Sequence, residues 1–485
     1  MTRAIAVLMV CVAAACGGAS VPPEPPLSGM ASGPSACTAL APSSAAPPQK
    51  ALAVANGKRR VIVVSIDGMR PDSYRKADAL GLRIPNLRRF VAEGVSADGM
   101  RTVYPSLTYP AHVTMVTGVR PAAHGIYNNF AFDPKAKNKD GWNWYARDIR
   151  VPTLWDAAKA RGLTVGSVYF PVTAGADIAW NVPQFWRAEV PEDDKLLALL
   201  TTPALAKELA TEGIPLPGEH TQDRERTDVA LHILKKHAPD LLLTYMEDLD
   251  TVAHKKGPTS KEARETLEAI DVQLGRLREA AEAEKTPTTW IILSDHGFAE
   301  ASQRIRIGVA LRKAGFVKLD KKGEVESYEA AMWRGNGMCA FYMRDPKDGV
   351  TKEKLLGLLQ GLAHDPKSGV GRVYYDHDLE ARGGFPGAAA AIEARPGYMF
   401  NKGFDAPMVS PAEERGAHGY DPESDDMAAS LILAGDGIRS GGESLGKVDI
   451  VDVAPTIAKL LSLELPSAEG KPLAKALGTA PAEVK

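Results

Sequence analysis

The sequence has few cysteines and no excess of charge of either sign, and each shortage excludes a class of protein. Only four of the 485 residues are cysteine, too few for a disulfide framework in a chain of this length. The 58 basic and 60 acidic residues give a formal net charge of −2 at pH 7, so the chain lacks the positive field that holds duplex nucleic acid. Apolar residues make up 45% of the chain, enough for one large core or two smaller ones. We therefore expect a large soluble domain, and we expect it to be an enzyme.

The first 16 residues are typical of an export signal. Arg3 is followed by twelve apolar residues, Ala4 to Ala15, and then by Cys16. This stretch is shorter than the roughly 20 residues that span a bilayer, and its basic start, apolar middle and small-residue end are those of a secretory signal. The residues around Cys16 resemble a bacterial lipoprotein signal, with Ala13 at the usual leucine position. We expect export to the periplasm or cell surface and membrane attachment through a lipidated Cys16. A signal that is simply cleaved and an uncleaved apolar helix are the alternatives.

The rest of the chain has two contrasting parts. Residues 17–57 are rich in Pro, Ala, Ser and Gly, which predicts a flexible tether. In residues 58–485, continuous apolar runs alternate with helical periodicity, which predicts an α/β catalytic domain with a mostly parallel central sheet flanked by helices. A stretch from about 299 to 415 breaks this alternation and predicts a smaller inserted subdomain. The predicted strands are Val61–Ile66, Leu163–Phe170, Asp240–Met246, Thr289–Ser294 and Ala428–Ala434, and the predicted helices are Thr153–Arg161, Asp223–His237, Lys261–Ala283 and Asp449–Leu463.

Aspartates and histidines follow several of the predicted strands. Active sites of open α/β sheets lie beyond the carboxyl ends of the strands, so we expect these side chains to gather there. Asp250 and His254 are four residues apart, which one helical turn would place on one face. Singly, each residue is as well explained as a cap, a turn former or a surface pair. Together they predict a site for Zn²⁺ or a similar divalent ion. The candidate ligands are Asp67, Asp250, His254, Asp295, His296 and His418.

A candidate nucleophile precedes Pro110, which predicts the first turn of a helix. Thr108 would then lie just before the helix N-terminus, where backbone amides and the helix dipole favour an anion. A hydroxyl placed there beside a metal ion could lose its proton near neutral pH and attack phosphorus. On local sequence alone, Thr108 or Ser106 is better explained as a simple N-cap.

Six short motifs occur between about residues 60 and 465: Ser65 to Asp72, Leu107 to His112, His124 to Asn129, Asp250 to Gly257, Ser294 to Gly297, and Gly416 to Tyr420. In this order they resemble the motifs of the nucleotide pyrophosphatase/phosphodiesterase family (type I phosphodiesterases) of the alkaline phosphatase superfamily. The resemblance implies an alkaline phosphatase-like fold and metal-dependent hydrolysis of phosphodiester or pyrophosphate bonds.

The resemblance also implies roles for individual residues. Two divalent ions, expected to be Zn²⁺, would bind at one site formed by Asp250, His254 and His418 and a second formed by Asp67, Asp295, His296 and the Thr108 oxygen. Thr108 would form a phosphoryl-threonine intermediate that is then hydrolysed. Asn129 would hydrogen-bond a phosphate oxygen together with the Thr108 amide; Asn128 stands where the family commonly has glycine, which leaves the choice between these two asparagines open. His112 and His124 are interpreted as packing residues or residues that support the ligands.

The motif around Thr108 bears on the substrate. It lacks the Cys or Ser and the Arg of sulfatases, and no cation of the kind that recognises the extra charge of a phosphomonoester follows Thr108 or ends the predicted strand at Leu163–Phe170. We therefore expect a small phosphodiester, most simply a nucleotide. Tyr109, Tyr169 and Phe170 are candidates for contact with its base or leaving group. A phosphomonoesterase, a phosphonate hydrolase and a non-catalytic surface binding protein remain alternatives.

Overall fold

The computed structural model describes residues 59–135, 137, 141–187, 190, 192–218 and 221–478. The predicted signal, the predicted tether and Cys16 lie outside these residues. The strands of the first part, β1 to β7, are Arg60–Ile66, Val95–Ser96, Gly99–Arg101, Val165–Val168, Trp180–Val182, Leu241–Met246 and Thr288–Leu293. The remaining strands, β8 to β20, are Ala299–Ile305, Val317–Leu319, Val325–Tyr328, Ala330–Arg334, Met338–Met343, Val370–Tyr375, Ala390–Ala394, Gly397–Phe400, Val409–Pro411, Gly416–Ala417, Leu431–Gly435, Glu443–Ser444 and Lys447–Asp449.

The α-helices α1 to α14 are Asp72–Arg75, Pro85–Glu93, Thr108–Thr117, Pro121–His124, Leu154–Ala160, Asp193–Leu200, Pro203–Glu212, Asp223–His237, Asp248–Lys256, Lys261–Ala283, Gly308–Lys313, Gly349–His364, Asp376–Arg382 and Val453–Leu461. Short 3₁₀ turns occur at Ala146–Asp148, Pro366–Ser368, Asp425–Met427 and Ile450–Asp452. Within the described residues, no helix combines the length and the apolar character needed to cross a membrane.

The apolar runs of the sequence form an eight-stranded central sheet with the order β19-β2-β18-β7-β1-β6-β4-β5. Strands β7, β1, β6, β4 and β5 are parallel, while β18 is antiparallel to β7. All seven residues of β1 are buried, as expected for a parallel strand covered on both faces. Helices α2, α8 and α14 pack against the sheet, and α10 packs on α8. The predicted α/β class is therefore confirmed, with β18 as the one strand of this sheet that runs against the others.

A second hydrophobic core lies in residues 301–427. It includes Ile305, Leu311, Phe341, Leu355 and Ile392, all of which are buried. The antiparallel sheet β11-β12-β14-β13 and helix α12 supply much of this core. The break in the strand–helix alternation between about 299 and 415 therefore coincides with elements that pack largely on one another. Cys339, a buried thiol, also belongs to this core.

Candidate active site and metal centre

The fold brings the six predicted metal ligands together in two groups. One group contains Asp67, Asp295 and His296, and in the other are Asp250, His254 and His418; within each group the ligand atoms lie within 4.8 Å of one another. Asp67 directly follows β1 and Asp295 closely follows the neighbouring parallel strand β7. The register explains this proximity, because parallel neighbours end at the same edge of a sheet.

The three histidines of these groups are oriented by the backbone. Nδ1 of His254 donates to the Gly416 carbonyl at 3.0 Å, Nδ1 of His296 to the Gly297 carbonyl at 3.0 Å, and Nδ1 of His418 to the Ser106 carbonyl at 2.9 Å. A carbonyl only accepts, so Nδ1 carries the proton and Nε2 keeps its lone pair. Metal-binding histidines are typically held in this way.

The carboxylates supply a second sign of a cation site. Asp67 Oδ1, Asp250 Oδ1 and Asp295 Oδ2 are buried and accept no hydrogen bond, although a buried carboxylate oxygen without a donor costs several kcal/mol. The Nε2 atom of His296 lies 3.3 Å from Asp67 Oδ1 and 3.2 Å from Asp295 Oδ2. Carboxylate oxygens and imidazole nitrogens that converge in this way fit divalent metal ions.

Burial raises the pKa values of two aspartates in these groups and lowers those of two histidines. Burial raises the pKa of Asp295 to about 7, and burial together with the neighbouring Asp295 and Asp250 raises the pKa of Asp67 well above its ordinary value. Burial lowers the pKa of His418 to about 4 and, with the adjacent His418, lowers the pKa of His296 far below its ordinary value. Because of these lowered pKa values, the two histidines are neutral, which is the form that binds metal. Their rings stack with a centroid distance of 3.7 Å.

Thr108 is the first residue of α3 rather than the residue before the helix. Leu107 takes the N-cap position, and no side chain caps the helix. The N-cap interpretation of Thr108 and Ser106 is therefore wrong: the Ser106 hydroxyl donates to the Tyr420 carbonyl at 2.8 Å, and Thr108 Oγ1 lies 3.4 Å from His296 Nε2. The threonine hydroxyl faces the group of Asp67, Asp295 and His296.

Of the two adjacent asparagines, Asn129 faces the threonine. Its Oδ1 accepts a hydrogen bond from the Tyr109 backbone N–H at 2.9 Å, and its Nδ2 lies 3.5 Å from Thr108 Oγ1. Asn128 instead donates from Nδ2 to the Arg334 carbonyl at 3.0 Å. The side-chain amide of Asn129 thus presents its donor end to the space beside the hydroxyl.

The two remaining motif histidines lie behind the site. His112 Nδ1 donates to the Thr108 carbonyl at 2.8 Å, and its Nε2 accepts from the Ser65 hydroxyl at 2.9 Å. His124 Nδ1 accepts from the Ile126 backbone N–H at 3.1 Å, and its Nε2 donates to the Thr114 hydroxyl at 3.1 Å. Burial lowers the pKa of each to about 3, so both are neutral and support the helix that carries Thr108.

A cleft of about 230 Å³ opens beside Thr108. The predicted contact residue Tyr109 borders this cleft, although its side chain is fully buried, and the structure contradicts the other two predicted contacts. Tyr169 and Phe170 are fully buried in the main core and take no part in lining the cleft. Phe170 packs edge-on against His112, and the Arg226 guanidinium lies over the Tyr169 ring at 4.3 Å.

Sequence reasoning missed several aromatic residues of the cleft, namely Phe130, Trp142, Trp186 and Tyr245. Trp142 contacts the rings of Phe130, Tyr109 and Trp186 at centroid distances of 4.5, 5.3 and 5.2 Å. The concentration of aromatic residues between 127 and 145 was a sequence signal for Phe130 and Trp142, but it does not extend to Trp186 or Tyr245.

The wall of the cleft carries acidic side chains. Glu247 lines it, its Oε2 accepts from Gln184 Nε2 at 2.9 Å, and its Oε1 lies 3.2 Å from Arg226 Nη2. Among the described residues that line the cleft, none is lysine or arginine. An anionic group in this cleft therefore depends on cations other than side chains of its wall.

Solved structures show the same fold. The chain superposes on human ectonucleotide pyrophosphatase/phosphodiesterase 5 with a TM-score of 0.62 and 21% identity, covering 85% of this chain and 97% of that one. It also superposes on an inactive threonine-to-alanine variant of the murine protein in complex with AMP, with a TM-score of 0.64 and 20% identity over 87% of this chain and all of that one.

Relatives by sequence point to the same family. The chain is 27% identical over 256 residues to human ectonucleotide pyrophosphatase/phosphodiesterase family member 1, a match that covers 50% of this chain and 24% of the human protein. It is 24% identical over 410 residues to an uncharacterized pyrophosphatase/phosphodiesterase of Schizosaccharomyces pombe, covering 83% of this chain and 77% of the yeast protein. The chain thus spans about a quarter of the length of the mammalian relative. Residues 61–421 match the sequence model described as type I phosphodiesterase/nucleotide pyrophosphatase. This match covers more than half of the chain, and the protein belongs to the type I phosphodiesterase/nucleotide pyrophosphatase family.

Proposed function

We propose that the protein is a metal-dependent hydrolase of phosphodiester or pyrophosphate bonds in small nucleotide-type substrates. One observation carries the proposal: the Thr108 hydroxyl lies at the N-terminus of α3, 3.4 Å from His296 Nε2, and opens onto an aromatic cleft. Family membership and the AMP complex of the murine relative support the nucleotide class.

Asp250, His254 and His418 would hold one divalent ion, and Asp67, Asp295, His296 and Thr108 Oγ1 would hold the other, with Zn²⁺ the ion we propose. When bound, such ions neutralise charge on the entering and leaving oxygens of an in-line displacement and lower the pKa of a hydroxyl nucleophile. The three buried carboxylate oxygens without donors support this assignment, because they provide the negative charge that two cations require.

The side chains then act in a simple order. Thr108 Oγ1 forms a bond to phosphorus while the bond from phosphorus to the leaving alcohol or phosphate oxygen breaks, which gives a phosphoryl-threonine ester; the proton lost by the threonine hydroxyl ends on the leaving oxygen. Asn129 Nδ2 donates to a non-bridging phosphate oxygen, and its Oδ1 is held by the Tyr109 N–H. Water next attacks phosphorus, the bond from phosphorus to Thr108 Oγ1 breaks, and one proton of the water restores the threonine hydroxyl. The N-terminus of α3 stabilises the anion in both steps.

The cleft favours a diester over a monoester. A monoester dianion carries one more negative charge than a diester, and the wall of the cleft offers Glu247 instead of a lysine or arginine. Phe130, Trp142 and Trp186, which are partly exposed, provide apolar faces for a planar leaving group or base. A phosphomonoesterase on this scaffold would lack a side chain to recognise the additional charge.

The test compares kcat/KM for an aryl ester of a nucleoside 5′-monophosphate with kcat/KM for the matching aryl phosphate, on the zinc-loaded full chain. We expect a ratio above about 100, equivalent to ~2.7 kcal/mol of differential transition-state binding. A ratio below one would reject the diesterase. Thr108→Ala is the control for contaminating hydrolases, and it should abolish both activities.

We also propose that the protein acts outside the cytoplasm, attached through Cys16. The signal-like residues 1–16 and the tether-like composition of residues 17–57 support this location. Detergent phase partitioning of the full chain tests it: the native protein should enter the detergent phase, and Cys16→Ser should remain in the aqueous phase. If the native protein and Cys16→Ser partition equally, lipid attachment at Cys16 is rejected, and a signal without a lipid, cleaved or uncleaved, takes its place.

A further inference from the structure

A second cluster of histidines and carboxylates lies on helices α7 and α8, separate from the candidate active site. Glu208 Oε2 lies 3.3 Å from His232 Nε2 and 2.7 Å from His237 Nε2. Two imidazole nitrogens therefore converge on one carboxylate oxygen, and the three ligand atoms lie within 4.8 Å of one another. This arrangement does not depend on the proposed function.

Carboxylate groups flank the His232 ring on both of its nitrogen atoms. His232 Nδ1 lies 2.9 Å from Glu212 Oε2, so both nitrogens of this ring face carboxylate oxygens. An ionised carboxylate only accepts hydrogen bonds, so Nδ1 can donate to Glu212 while Nε2 faces the oxygen that it would share with a cation, Glu208 Oε2. A divalent ion bound at Nε2 would leave the bond from Nδ1 to Glu212 intact. A carboxylate that accepts from the second nitrogen of a histidine is the usual support of a metal ligand.

The ligands are held in place before any ion binds. The His232 side chain is 3% exposed, and the His237 side chain is 14% exposed. Trp180 stacks on the His237 ring at 4.5 Å with an interplanar angle of 18°. Because these rings are fixed by packing, little side-chain entropy would be lost when a metal binds. Glu208, with 25% of its side chain exposed, leaves the solvent side open for water ligands.

One cation already lies close by. Lys236 Nζ is 3.1 Å from Glu212 Oε1 and 3.6 Å from Glu208 Oε2. Its side chain is 44% exposed, so it can turn into solvent when a divalent ion takes its place beside Glu208. Removal of this lysine should therefore strengthen metal binding.

We propose that Glu208, His232 and His237 form a third divalent-metal site, with Glu212 supporting His232. Two imidazole nitrogens and one carboxylate oxygen suit Zn²⁺, or Ni²⁺ and Cu²⁺ among the late first-row ions. The ion would join α7 to α8 and would be structural, because neither helix contributes a residue to the aromatic cleft.

The test is the zinc content of the full chain after equilibration at a buffered free Zn²⁺ concentration, measured by mass spectrometry of the metal. His237→Gln and Glu208→Gln should each bind one ion fewer per chain than the native protein, with kcat/KM for the nucleotide diester within about twofold of native. Lys236→Gln is the matched control, changed on the same helix end, and should keep the full content.

A second readout locates the lost ion. Added Zn²⁺ should slow hydrogen exchange in Pro203–Glu212 of the native protein, and this slowing should disappear in both ligand variants. Native zinc content in both variants, or exchange in α7 that does not respond to Zn²⁺, would overturn the proposal and identify the cluster as an ion-pair network. If the zinc content falls while diester hydrolysis fails in the native protein as well, only the proposed function is rejected.

Discussion

At the scale of single residues, the side-chain amide of Asn129 has one productive orientation, and one hydrogen bond sets it. The Tyr109 N–H fixes Oδ1 at 2.9 Å and so turns Nδ2 toward Thr108 Oγ1. Asn129→Asp keeps the acceptor but replaces the donor by a charged oxygen. We expect kcat/KM for a nucleotide diester to fall by at least about 10²-fold, the effect of losing one donor to a developing oxyanion, with unchanged zinc content.

The neighbouring residue provides the control for this substitution. Asn128→Asp makes the same chemical change one position away, where the side chain donates to the Arg334 carbonyl and not toward the threonine. We expect it to lower the melting temperature more than Asn129→Asp does and to leave kcat/KM of the folded protein within a few-fold of native. The reverse pattern would assign the phosphate contact to Asn128.

The buried His124 predicts a pH dependence of stability. Burial lowers its pKa to about 3 in the folded chain, against about 6.5 when unfolded. The unfolded state therefore binds the additional proton between these values, and stability falls as the pH falls from 6.5, by about 1.4 kcal/mol per pH unit from this residue alone. His124→Asn keeps an acceptor for the Ile126 N–H and cannot titrate. Between pH 6.5 and 4.5 in EDTA, its free energy of unfolding in urea should decrease by roughly 2 kcal/mol less than that of the native protein. Parallel pH profiles would contradict this prediction.

At the scale of secondary-structure elements, β17 lies so close to α9 that only glycine fits at its start. A Cβ on Gly416 would lie 2.5 Å from the Ala253 carbonyl oxygen, and the Gly416 carbonyl orients His254. Gly416→Ala should push the strand away from the helix and weaken zinc binding by about tenfold, as expected when the support of a metal ligand moves. Competition with a zinc chelator measures this, with Gly349→Ala as the control, where an added Cβ meets no atom within 4 Å.

Helix α12 offers a stabilising substitution. Gly357 lies in its interior, and an added Cβ would meet no neighbouring atom within 4 Å. Glycine in a helix interior costs about 0.5–1 kcal/mol relative to alanine, because it loses more backbone entropy on folding. Gly357→Ala should raise the free energy of unfolding by that amount in a urea titration, with no change in diester hydrolysis. A decrease would mean that this part of α12 is strained or frayed.

The elements predicted best from the sequence are those whose ends carry capping residues. The observed bounds of α8 and α10 are the predicted ones, and Ser260 caps α10 by accepting from the Ala263 N–H. The six candidate ligands could be singled out because aspartates follow the apolar runs of β1, β6 and β7, which is a local signal, and the structure brings these aspartates together with three histidines in two groups. Tyr169 and Phe170 were assigned wrongly because a run of aromatic residues after a strand looks the same whether it faces a cleft or a core. Their burial depends on distant residues: the Tyr169 N–H donates to the Val182 carbonyl at 2.7 Å, and Arg226 covers its ring.

At the scale of the whole molecule, the proposed metal ligands come from segments that belong to different hydrophobic cores. Asp67 follows the central sheet, whereas His418 lies between Ala417 and Tyr420, both members of the second core. The Arg415 N–H also donates to the His254 carbonyl at 2.8 Å. Ions bound by both segments would hold them together, since a ligand that binds only the folded state stabilises it by an amount that depends on its concentration and affinity.

Metal removal should therefore loosen one part of the molecule more than the rest. In EDTA we expect faster hydrogen exchange in residues 416–420 and in α9, while β1 and β6 inside the central sheet keep their protection, and we expect a lower melting temperature. Exchange followed by mass spectrometry measures both regions in one experiment. His418→Ala is the matched control: it already lacks one ligand, so EDTA should change its exchange in residues 416–420 much less than in the native protein. Uniform loss of protection across β1, β6 and residues 416–420 would show instead that the ions stabilise the whole fold and do not act as a local joint between the two cores.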